Sequence, residues 1–192
     1  TASYIRNIAA SAKETEAVTV WPTNEEPYVT MKVRKPEGMM VLEPSPKPWL
    51  VSGFPYVSFR IRWPKWTEKD PPRLDMVVDF GDEKAVIGLT PSASNDTKRI
   101  TLPDPVQWKP NHWHEVTLDL RELLKDRIPE KVLKARHIRA LRFVLSDNQD
   151  KTAVDLQSLS IYRDWKNTDS VELEAYDASG MAGTVACDSA GE

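Results

Sequence analysis

Apolar and polar residues alternate along much of this chain with the period of two that marks a half-buried strand. Val57 to Trp63 shows it most cleanly, and Leu74 to Phe80 repeats it after a loop from Pro64 to Pro72. Tyr28 to Val33, Val116 to Leu120, Ile138 to Leu145 and Leu156 to Tyr162 read the same way, and Gly81-Asp82 turns the chain into a further strand from Ala85 to Leu89. Met39 to Leu42 is a short apolar run closed by Pro44, Pro46 and Pro48. The first twenty residues read both ways. Ile5, Ile8 and Ala12 have helical spacing, whereas Ala17 to Trp21 has the composition of a strand. Arg121 to Ala135 is predicted helical, with Pro129 ending or starting a helix because its ring removes a backbone N–H.

Strands in close succession, joined by turns, predict an all-β fold, an antiparallel β-sandwich with one short helix. Its inward set is Phe59, Ile61, Leu74, Met76, Val78, Phe80, Val116, Leu118, Leu120, Leu141, Phe143, Leu159 and Ile161. Arg60, Arg62, Asp75, Asp79, Thr117, Asp119, Arg139 and Arg142 are expected on the outward face, most of them in plain salt bridges. The sandwich is expected over residues 1–165. Residues 166–192 carry Lys166 against Asp169, Glu172, Glu174, Asp177, Asp188 and Glu192, and from Ala178 onward they are small and polar. They read as an acidic tail or linker.

Charge and cysteine content narrow the function classes. Lys and Arg total 26 against 29 Asp and Glu, a formal net charge of -3. That balance does not call for nucleic acid or an anionic membrane. Cys187 is the single cysteine, so no internal disulfide forms. No basic start followed by an apolar stretch opens the chain. Thr1 in place of Met reads as a processed or excised start, which leaves room for secretion or cell-surface display.

No motif assigns catalysis. The chain has no Gly-rich phosphate loop, no Gly-x-Ser-x-Gly elbow and no Cys-x-x-Cys. Glu115 and Asp119 lie four apart on one strand and face the same way, the arrangement of a solvated strand face. His112 and His114 flank Trp113 at a spacing that two metal ligands could use, but no third ligand lies nearby and a surface pair is the simpler reading. Seven tryptophans remain. An indole face is apolar and electron-rich, and the C–H face of a pyranose is apolar and slightly positive, so exposed rings bind sugars. Trp63 and Trp66 sit in a proline-stiffened loop with Lys65 and Glu68, and Trp108 precedes Lys109-Pro110-Asn111. For each ring, the alternative is a lid on one end of the core.

Three segments resemble one family. Tyr56 to Arg62, Asn111 to Leu120, and Ile138 to Leu145 with Val154 to Arg163 resemble strands of β-sandwich carbohydrate-binding modules of the galactose-binding-like jelly-roll type. The resemblance spans about residues 50–163. It implies that Trp113 is a core residue. It also implies a structural calcium bound through an acidic pair in the last strand, but the matching positions here read Leu156-Gln157-Ser158-Leu159, with Asp155 just upstream. The acidic pair is missing, so no cofactor or metal is assigned.

These readings combine into an expectation. The chain is a non-catalytic carbohydrate-binding or ancillary module, secreted or on the cell surface, fused to or partnered with catalytic domains. Its partner is a polysaccharide or oligosaccharide, held by Trp63, Trp66, Trp108, Arg60 and Arg62. The alternative is a structural or protein-contact β-sandwich without a sugar site. A stand-alone lyase or hydrolase is the third reading.

Overall fold

The computed structural model describes residues 4–10, 15–20, 22–33, 38–45, 48–64, 73–91, 96–146, 152–162 and 172–174. The chain folds as an all-β, antiparallel sandwich of two large sheets. The first sheet joins β1 (Tyr4–Ala10), β4 (Gly38–Ser45), β12 (Ala140–Ser146), β7 (Arg73–Asp79), β8 (Lys84–Gly88) and β9 (Arg99–Thr101), in that order. The second joins β10 (Trp113–Asp119), β6 (Tyr56–Arg62), β13 (Thr152–Tyr162), β3 (Tyr28–Val33) and β2 (Thr15–Val20). A small pair of β5 (Trp49–Leu50) and β11 (His137–Ile138) stands apart. β8 and β9 run parallel, a departure from the all-antiparallel expectation.

The thirteen expected core residues are all buried. Phe59 of the second sheet meets Phe143 of the first edge to face, with centroids 5.1 Å apart, so the core lies between the two sheets. Each sheet contributes alternate residues, because successive side chains of a strand point to opposite faces.

Two bulges break the alternation, and each explains a misleading spacing. β1 is a strand, not a helix, and its register against β4 shifts between Ile5 and Asn7. An extra residue resets the alternation, so a spacing of three fits a bulged strand as well as a helix. β13 shifts between Gln157 and Ser160, with Ser158 at φ 50. Leu156 and Leu159, three apart, are therefore both buried.

The single helix expected over Arg121 to Ala135 is two, α1 (Leu120–Leu124) and α2 (Glu130–Lys134). Asp119 caps α1 by accepting a 2.9 Å bond from the Arg121 N–H, and Pro129 stands at the start of α2. β14 (Glu172–Glu174) pairs with Ser160–Tyr162 of β13, inside the stretch read as a tail. Cys187 and everything from Ala175 onward lie outside the described residues.

Gly81 turns β7 into β8 at φ 99, and a Cβ there would lie 2.7 Å from Arg139 Nε. Gly81→Ala should cost about 1–2 kcal/mol, the penalty of a left-handed L-residue. The expected readout is a lower urea midpoint at unchanged slope; an unmoved midpoint would remove the strain argument.

Candidate functional site

Parity along β6 and β10 sorts the candidate residues. Val57, Phe59 and Ile61 point inward, and Trp63 continues the series with 1 % of its surface exposed. Trp63 is thus a core residue and offers no ring to a ligand. Trp108 packs on it edge to face at 5.5 Å, and its indole N–H donates to the Leu89 carbonyl at 3.0 Å. Trp108 is half-buried and closes one end of the core, which matches the lid alternative. Trp66, with Lys65 and Glu68, lies outside the described residues.

Arg60 and Arg62 do share one outward face, that of the second sheet. The expected outward set divides, however, between the two sides of the sandwich. Thr117 and Asp119 lie with Arg60 and Arg62 through the β6–β10 pairing. Asp75, Asp79 and Arg142 lie on the first sheet, where Asp75 bonds Arg73 and Arg99, and Asp79 bonds Arg142. Those two carboxylates are closed off by their own cations.

Trp113 is on the outward face, half-buried, and not in the core as the resemblance implies. It pairs with Arg62, whose guanidinium carbon stands 4.4 Å from the centroid of its ring and 4.9 Å from that of Tyr28. Tyr28 meets Trp113 edge to face at 5.6 Å, and the Arg60 guanidinium lies 5.6 Å from the Trp113 centroid. The reason for the error is parity. Trp113 is an odd step from Val116, so if Val116 points inward Trp113 points outward. The same count from Val29 and Met31 turns Tyr28 outward, and both rings could have been found this way.

Asp155 anchors the face. It is 2 % exposed and takes a 2.8 Å bond from the Thr30 hydroxyl and a 3.0 Å bond from Arg62 Nε. Burial alone would lower the Arg62 pKa, but the bond and charge of Asp155, helped by Tyr28 and Glu25, raise it above the ordinary guanidinium value. Burial pushes the Asp155 carboxyl above the usual carboxylate range, against the opposing pull of Thr30 and Arg62. The two shifts pull on the pair in opposite senses. The guanidinium decides the outcome, because arginine keeps its proton at any physiological pH and so holds the carboxylate ionised. These bonds also occupy Asp155, the acid just upstream of the expected calcium position, with a guanidinium, itself a cation.

Arg60 differs from Arg62. Its one hydrogen bond among the described residues runs from Nη1 to Gln157 Oε1 at 2.9 Å, and Gln157 in turn donates to the Glu26 carbonyl at 2.8 Å. Glu115 stands directly opposite Arg60 on β10 and is exposed, yet the two form no ion pair. The face therefore presents donors on Arg60 and acceptors on Glu115 as a cross-strand pair next to the Trp113–Arg62 pair. His114 bonds through Nε2 to the Lys109 N–H at 3.1 Å, and His112 Nδ1 lies 2.8 Å from the Pro110 carbonyl. Both histidines are thus turned to their own loop.

No family model matches this sequence, and no curated protein matches it. Among solved structures, the chain is similar to a family 11 carbohydrate-binding module of a cellulosomal cellulase of Clostridium thermocellum, at 11% identity over 82% of this chain and 88% of that one, with a TM-score of 0.49. It is similar to a family 29 carbohydrate-binding module at 9% identity, over 83% and 87% of the two chains, with a TM-score of 0.42. A β-1,2-glucanase from Parabacteroides distasonis is similar at 12% identity over 85% of this chain, which spans 23% of that enzyme, with a TM-score of 0.48.

Substitutions at two positions test this geometry. Trp63→Ala should cost about 3–5 kcal/mol of folding, as for a large core ring; an unchanged melting temperature would put Trp63 back on the surface. Asp155→Ala should cost about 3–5 kcal/mol, because it strands a nearly buried guanidinium. Asp155→Asn keeps the shape and one acceptor but removes the charge, so it should lose nearly as much; a much smaller loss in Asn than in Ala would show that the anchor is hydrogen bonding and packing rather than charge.

Proposed function

We propose that this domain is a carbohydrate-binding module that holds a saccharide chain on the outward face of the second sheet and performs no chemistry itself. The observation that carries the reading is the unpaired Arg60–Glu115 couple beside Trp113. A sugar ring presents an apolar C–H face to an indole and hydroxyls around its rim. A guanidinium fork donates to those hydroxyls, and a carboxylate accepts from them. Arg62 and Tyr28 hold Trp113 in place, which lowers the cost of ordering it on binding.

The positions of the carboxylates support a reading without chemistry. Glycoside hydrolysis needs an acid and a base facing each other across the bond. On this face Asp155 is bound to Arg62, Glu25 bonds Arg62 as well, and Asp119 caps a helix. Glu115 is left without an ion pair among the described residues, and so is Asp104 on the far wall of the neighbouring groove. A module of this kind works by keeping a catalytic domain, fused or partnered, close to its polysaccharide outside the cell or on its surface. The second reading, a sandwich used for spacing or protein contact, is favoured by the closure of Trp63 and Trp108 into the core.

Native gels containing dissolved polysaccharides of different linkage separate the two. The domain should be slowed in gels of one class, with no reducing ends released. Trp113→Ala should weaken that retention by about 1–3 kcal/mol, by analogy with bases stacked on aromatic side chains. Arg60→Ala should weaken it with little change in melting temperature. Mobility unaltered in every gel favours the spacer reading. Retention that survives the loss of both Trp113 and Arg60 moves the sugar to another surface.

A further inference from the structure

β10 is an edge of the second sheet. It pairs with β6 on one side, and its other side borders a groove of about 590 Å3 whose far wall is the proline-interrupted segment 102–107. Which backbone groups turn toward that groove follows from the ladder. The Leu120 N–H donates to the Pro55 carbonyl at 2.9 Å, one step beyond the pairing of Asp119 with Tyr56. Bonded and non-bonded pairs alternate in an antiparallel ladder. Leu118, Val116 and His114 therefore turn their N–H and C=O groups toward β6. Thr117, Glu115 and Trp113 turn theirs away from it. The Ser58 and Thr117 hydroxyls, 3.1 Å apart, fit this phase, because side chains come closest in non-bonded pairs. Among the described residues no hydrogen bond reaches those outward groups.

A row of open backbone donors and acceptors along a groove suits an extended chain added as a further strand. Charge selects the chain. The groove is lined by Asp104, Glu115, Asp119 and Glu122, and by no Lys or Arg. Arg121 answers Asp119 and Lys125 answers Glu122, whereas Asp104 and Glu115 have no ion pair among the described residues. A second copy of this chain is a poor occupant, because two β10 edges side by side would bring the same carboxylates together.

We propose that the free edge of β10 binds an extended, basic segment of another protein by strand addition. Alternate Lys or Arg side chains of that segment meet Asp104 and Glu115, and the side chains between them meet the apolar wall at Leu102, Val106 and Leu123. This surface borders the saccharide face, sharing Trp113 and Glu115, but it reads a different chemistry and does not depend on sugar binding.

The probe is a fluorescein-labelled nine-residue peptide that alternates Val and Lys, with a Val and Glu counterpart. Anisotropy titration of the full chain should saturate with the Lys peptide and stay flat with the Glu peptide. Hydrogen exchange followed by NMR should slow at the Glu115 and Thr117 amides when the Lys peptide is bound. Thr117→Pro removes one of the open N–H groups and should weaken binding about tenfold or more, since proline is tolerated at a sheet edge. If that variant fails to fold, a Lys peptide N-methylated on the residues that would face β10 provides the same test and should not bind. The proposal fails if the Lys peptide does not bind, if it binds without slowing those two amides, or if the N-methylated peptide binds equally well.

Discussion

The Asp155 carboxylate organises the polar side of the second sheet. It stands on the central strand and accepts bonds from Thr30 on one neighbouring strand and Arg62 on the other. Three strands are thus tied by side chains as well as by their backbone ladder. The same bond fixes the direction of Arg62, which places its guanidinium over both Tyr28 and Trp113. Cation–π contacts of this kind contribute on the order of 0.5–2 kcal/mol each, more as they lose water. The ring that carries the saccharide reading is therefore positioned by a buried charge two strands away.

The two outward faces of the sandwich use the same residue types to different ends. On the first sheet, Arg99 lies across Gly88 to reach Asp75, and Arg142 reaches Asp79. Asp75 and Asp79 each have a cation, so this part of the face is stabilised and chemically closed. On the second sheet, the Arg60 fork turns to Gln157 and leaves Glu115 unanswered. An arginine and a glutamate facing each other on adjacent strands ordinarily attract. Their separation keeps hydrogen-bonding capacity available to a ligand, and it is the feature that distinguishes this face from the other.

Most of the sandwich was legible because period two is a direct record of which side of a strand is wet. Every residue of the expected core is buried, and most of them for that reason. The pattern fails where the backbone departs from the regular strand. Ile5 and Ile8 imitated a helix because the register of β1 shifts between Ile5 and Asn7. Arg121 to Ala135 hid a break, since Pro129 begins α2 after α1 has already ended at Leu124. β5, β9 and β14 are two or three residues long, too short to show a period at all. The division of Arg60 and Asp75 between opposite faces is a property of strand order, which no local pattern encodes.

The tryptophans show why the site was only half legible. Trp63 was taken for a loop ring because proline follows it, yet it stands two residues beyond Ile61 and keeps the inward phase of β6. Trp108 lies in an irregular segment, and its indole N–H finds the Leu89 carbonyl, which is what a partly buried indole needs. Trp113 was assigned to the core by resemblance, against the phase of its own strand. In all three cases the fate of the ring follows from the backbone phase or from the partner of its N–H, and not from its nearness to a loop. Composition shows how many rings a fold must place. Only parity, counted from a residue whose burial is secure, shows which of them are left to meet a ligand.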